Sequence, residues 1–126
     1  MTIRQRPKHL NLLKIRFPVT AIASILHRIS GLFIFFLTPI LLYLLSLSLQ
    51  GEAGFRRAGE WFDSVPMKMI LMLLIWFTIH HFIAGIRYLI LDLDIGLSRA
   101  SAKISAITTI ALAVVLSVLS IYWVVV

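Results

Sequence analysis

Along the chain the hydrophobic positions do not alternate with polar ones. They gather into three long runs at 29–49, 69–91 and 104–126, divided by short polar stretches. Each run reaches the ~20 residues that an α-helix needs to cross a hydrocarbon core. Backbone polar groups cannot be left unpaired in lipid, and the short alternating segments of a membrane barrel do not occur, so the runs predict helices. The expected fold is an all-α membrane protein with three transmembrane helices and a single domain over 1–126. Pro18 suits a helix first turn, so residues 18–27 are expected to carry the first helix out into the interface, and Pro39 is expected to kink it. Residues 50–66 hold Gly51, Gly54, Gly59 and five charges, and read as a loop with at most one amphipathic turn, Trp61 and Phe62 suiting the outer interface.

Composition supports a membrane protein. The 126 residues are 60% hydrophobic with a mean hydropathy of +1.00, more than a soluble core of this size could hide. The net charge of +7 comes from basic residues at the ends of the runs and not from a soluble basic face, which argues against nucleic acid as a partner. Arg4, Arg6, Lys8, Lys14 and Arg16 precede the first run and the tail carries no charge, so the positive-inside rule predicts a cytoplasmic N-terminus and an outer C-terminus. The segment 1–17 is then expected on the cytoplasmic surface, and without an apolar h-region or small-residue cleavage site it predicts no cleaved signal peptide. The absence of cysteine excludes a disulfide or a Cys-ligated iron–sulfur cluster within this chain.

Two stretches bring ionisable groups to the edge of the apolar zone. In the first, Ser24, His27 and Arg28 stand at i, i+3 and i+4 and share one helix face, with Gly31 a turn further on. A charge at the centre of a membrane helix costs at least ~2.5 kcal/mol, so such residues generally face a site, a cavity or a partner. Snorkelling accounts for a lone Arg28, but Ser24 and His27 on the same face favour a site. In the second stretch, His81, Gly85, Tyr88 and Asp92 follow at i, i+4, i+7 and i+11, an imidazole above a gap with no side chain. A flat cofactor fits that gap. Haem ligation, a proton relay and a hydrogen bond between helices are all open for His81. Arg87 is expected at the same cytoplasmic level as Arg28, where a cation suits haem propionates. His80 lies ~100° around the helix from His81 and cannot serve the same iron. His27 is expected too near the interface to match His81 in depth, so a second axial ligand is expected from another subunit. In the third run, Ser101, Ser105, Thr109, Ala113 and Ser117 form a small-residue stripe that reads as a packing face without chemistry.

The motifs Arg6-Pro7, Phe17-Pro18, Ser24 to Gly31 (SILHRISG) and His81 to Asp92 (H-x-x-x-G-I-R-x-x-x-x-D) occur in an order that resembles the large cytochrome b membrane-anchor subunit of succinate dehydrogenase, the succinate:quinone oxidoreductase of respiratory complex II. The resemblance covers essentially the whole chain. It implies an inner (plasma) membrane complex with a flavoprotein subunit, an iron–sulfur subunit and a second small three-helix membrane anchor. It implies haem b with His81 as axial iron ligand, ubiquinone bound by Ser24 and Arg28, and His27, Arg28 and Arg87 near the propionates. Tyr88 stands where many relatives carry a histidine; a phenol can hydrogen-bond a propionate but is not cationic near neutral pH. The alternatives are a haem-binding anchor without a quinone site and the anchor of a fumarate reductase. A transporter bundle fits poorly, because the intramembrane charges keep to one leaflet and no paired acids line a path.

Overall fold

The computed structural model describes residues 15–125, the side chains of residues 124 and 125 excepted. Among them the chain forms four helices: α1 (Val19–Ser48), α2 (Glu52–Asp63), α3 (Val65–Asp92) and α4 (Arg99–Val125). The long helices α1, α3 and α4 are the three expected spans, each long and apolar enough to cross a membrane. The basic segment with Arg4, Arg6-Pro7, Lys8 and Lys14 lies outside the described residues.

Pro18 fixes an extended N-cap (φ −64°, ψ 153°) from which α1 starts at Val19, and its carbonyl accepts from the Ala21 and Ile22 amides at 2.9 and 3.2 Å. Residues ahead of the first apolar run are therefore helical, as their sequence implied. The helix passes through Pro39 without ending. Beside that proline, the Thr38 hydroxyl donates to the Ile34 carbonyl at 2.7 Å, the back-bonding that polar residues use inside membrane helices.

The region 50–66 corrects the expected loop, since α2 is a helix of 12 residues. Its glycines mislead a reading of sequence alone, because each serves a different local need. Gly51 takes φ +86° at the N-cap, which turns the chain out of α1. Gly54 lies so close to the Leu47 carbonyl that a Cβ there would collide with backbone. A glycine at that point lets α2 fold back on α1 and bury Gly54 and Ala58, while Glu52 favours the positive end of the helix.

The middle helix α3 packs against both α1 and α4. Fully buried positions are mostly small, including Ala23, Ala84, Ala106 and Ala113, whereas Leu32, Phe35, Phe36, Leu42 and Tyr43 are exposed. Lipid is as apolar as leucine, so large side chains gain little from leaving it and close backbone approach decides the interfaces. The expected small-residue stripe of α4 is buried at Thr109, Ala113 and Ser117, joined by Ala106, while Ser101 is exposed. Asp94 and Gly96 adopt positive φ (61° and 80°) to close the α3–α4 connection, and Ser98 Oγ accepts the Ser101 amide at 3.2 Å to start α4.

Candidate functional site

The α1–α3 seam is built on one spacing used twice. Both helices carry H-x-x-x-G, at His27–Gly31 and His81–Gly85, and because they run antiparallel each imidazole meets the glycine of the other helix. The His81 ring lies over Gly31, where a Cβ would sit 2.9 Å from Cε1 and 3.3 Å from Nδ1; His27 Nε2 stands 3.7 Å from the corresponding position on Gly85. The two imidazoles consequently stack, with centroids 4.2 Å apart and planes 8° apart. Tyr88 follows on the same stripe, its ring 5.1 Å from that of His27.

His81 Nδ1 is 3.1 Å from the His27 carbonyl oxygen. A carbonyl only accepts, so Nδ1 carries the proton and donates, and the neutral ring keeps its lone pair on Nε2. Nε2 makes no hydrogen bond among the described residues. An imidazole held by Nδ1–H on a carbonyl, with Nε2 free, has the donor chemistry that haem iron requires.

Several expectations change at this seam. The space beside Gly85 is filled by the His27 ring, so it is not the slot for a flat cofactor. His27 and His81 lie at the same depth, since they stack. The inference from the sequence that they differ in depth fails because the antiparallel pairing of α1 with α3 sets the two rings level, a register that run length along one helix does not give. His27 is nevertheless no counterpart ligand in this arrangement: the lone pairs of parallel rings lie in the ring planes and cannot both address one ion between the faces. The stripe of Ser24, His27 and Arg28 also divides. His27 turns to α3, while Arg28, exposed, reaches Ser24 with Nη2 to Oγ at 3.5 Å.

Arg87 faces away from this seam. Its Nε donates to Ser105 Oγ at 3.0 Å and its Nη2 to the Ala102 carbonyl at 3.2 Å, leaving it 8% exposed against α4. Its guanidinium carbon also stands 5.2 Å from the Tyr88 ring centroid. Ser105 thus does more than pack, which the small-residue stripe did not reveal. Tyr88 OH is buried and has no partner among the described residues. His80 shares the stripe of Ala84 and Arg87; it is wholly buried, lies 5.6 Å from the Trp76 ring, and neither of its nitrogens finds a partner among the described residues.

Sequence reasoning missed the reciprocity of the two H-x-x-x-G spacings and also Ser30, whose buried hydroxyl donates to the His27 carbonyl at 2.8 Å. The repeated spacing was visible, but only an antiparallel pairing of α1 with α3 makes it meaningful.

A family model described as the succinate dehydrogenase/fumarate reductase transmembrane subunit matches residues 2–120. The succinate dehydrogenase cytochrome b556 subunit of Coxiella burnetii (strain RSA 493 / Nine Mile phase I) is 33% identical over 121 residues, spanning 95% of this chain and 97% of that protein.

Proposed function

The chain belongs to the succinate dehydrogenase/fumarate reductase transmembrane-subunit family, and on that footing we propose that it is the cytochrome b anchor of a succinate:quinone oxidoreductase, holding haem b through His81 and forming part of the ubiquinone-reduction site with Ser24 and Arg28. The observation that carries the reading is the His81 ring, fixed by its Nδ1 on the His27 carbonyl at 3.1 Å. When bound, the haem supplies a one-electron store close to the quinone. This chain contributes the fixed imidazole for the iron. His27, Arg28 and the Tyr88 hydroxyl, unpartnered among the described residues, would hold the propionates, with Arg87 adding positive charge from behind the Tyr88 ring. A second ligand to the iron would come from a second small membrane anchor.

Electrons from succinate oxidation in a flavoprotein subunit reach the quinone through an iron–sulfur subunit. Ser24 Oγ accepts from Arg28, which leaves the serine hydrogen free to donate to a quinone carbonyl. Arg28 is exposed on the surface of α1, where its charge stabilises negative charge developing on the quinone oxygen. The complex sits in the inner (plasma) membrane with residues 1–17 cytoplasmic; a reporter fused at Val126 that proves cytoplasmic overturns this orientation.

The test is quinone reduction by the assembled complex. Ser24→Ala removes a neutral hydrogen bond of ~0.5–1.5 kcal/mol and is expected to lower the rate ~3–10-fold. Arg28→Leu is expected to lower it further, because it removes a charge from a partly desolvated site. Succinate oxidation by an artificial acceptor that draws on the soluble subunits persists in both. Wild-type quinone reduction by the Arg28→Leu complex would place the quinone elsewhere.

A further inference from the structure

Ser30 has no place in the quinone site, yet its side chain is completely buried and directed at His81. Its hydroxyl donates to the His27 carbonyl at 2.8 Å, and the same oxygen lies 3.2 Å from His81 Nδ1. The single hydroxyl hydrogen is occupied by that carbonyl, so toward Nδ1 the serine offers only lone pairs. Nδ1 thus faces two acceptors, the His27 carbonyl at 3.1 Å and Ser30 Oγ at 3.2 Å. The other tautomer, with its lone pair on Nδ1, would be set against the carbonyl and would have to draw the serine hydrogen away from its 2.8 Å bond.

We infer that Ser30 is a positioning residue for the haem ligand: with the His27 carbonyl it holds the proton of His81 on Nδ1 and the lone pair on Nε2. The inference rests on His81 being the axial ligand. Gly31, next in the chain, completes the cradle, because the ring occupies the space where a side chain at 31 would begin. Ser30 therefore fixes the tautomer and Gly31 the ring's position, from consecutive residues of one helix. An acceptor on Nδ1–H also makes the imidazole a more electron-rich donor, which favours the ferric over the ferrous iron.

The test uses the purified complex with both anchors, comparing wild type with Ser30→Ala and Ser30→Cys. Cysteine is somewhat larger than serine, so it leaves no gap at the site, but it is a weak acceptor. Both variants are expected to transfer haem to an apo-globin acceptor about tenfold faster, the low end for loss of an outer partner of a ligand because the His27 carbonyl remains. Both should also shift the haem midpoint potential to more positive values, and a shift shared by Ser30→Cys, which leaves no gap, is one that loss of packing does not produce. Wild-type haem transfer and potential in both variants overturn the inference, and so does a normal Ser30→Cys beside an impaired Ser30→Ala, which would mark a packing role. If Ser30→Ala does not assemble, Ser30→Cys decides by the same two measurements. Full haem retention by His81→Ala would instead overturn the ligand assignment and leave the serine geometry without that purpose.

Discussion

Two neighbouring stripes of α3, one residue apart in sequence and ~100° apart around the helix, lead to opposite kinds of interface. The stripe of His81, Gly85 and Tyr88 meets α1 through stacked imidazoles and leaves two groups without partners among the described residues, the His81 Nε2 and the Tyr88 hydroxyl. The stripe of His80, Ala84 and Arg87 turns to the bundle core, where Arg87 is bound by Ser105 and the Ala102 carbonyl. On the first stripe, polar groups are oriented without being saturated, as a ligand site requires. On the second, the arginine is committed to joining helices by bonds of the kind that hold a bundle together within a bilayer, and the His80 nitrogens, unpartnered among the described residues, are shut into the core with it.

The largest effect expected from breaking this contrast is His81→Ala, which should remove most of the haem from the purified complex, whereas His80→Ala should keep it. His80→Leu should leave thermal stability unchanged or raised, because removing a buried group without partners relieves a cost of ~1–3 kcal/mol. Reduced-minus-oxidised spectra and thermal melts of the same preparations measure both; equal haem loss in the two alanine variants would show that the stripes do not differ in this way.

Next come the two glycines of the seam. Gly31→Ala puts a methyl 2.9 Å from His81 Cε1, while at Gly85 the corresponding contact is an ordinary 3.7 Å. Haem content should therefore fall in Gly31→Ala and stay near wild type in Gly85→Ala. The reverse order would return the flat-cofactor slot to Gly85.

A smaller effect is expected at the α3–α4 interface. Arg87→Leu abolishes two hydrogen bonds from a charged donor, and bonds of this type contribute ~1.5–3 kcal/mol each. It should lower the melting temperature of the complex and loosen haem less than His81→Ala does. Ser105→Ala removes only one of the two acceptors, at ~1 kcal/mol, and is the mildest of the set. A drop in haem binding with Ser105→Ala as large as with Gly31→Ala would show the two stripes acting as one unit.

What the sequence by itself determined is the number of long helices, their approximate bounds, and the family. Run length and hydropathy decide these, because lipid forces any such run into a helix whatever its neighbours do. It also singled out Ser24, His27, Arg28, His81 and Arg87 as candidates for chemistry, since polar side chains stand out against an apolar background. The chain's folding on itself decided the rest. Gly54 reads as a breaker until the Leu47 carbonyl lies against it; Ser105 reads as small until Arg87 arrives. His27 appears too shallow until the antiparallel pairing of α1 and α3 stacks it on His81. Spacing along one helix fixes which residues share a stripe, but the partner of each stripe, and hence whether a glycine makes room for a ring or for a backbone, depends on how two helices cross.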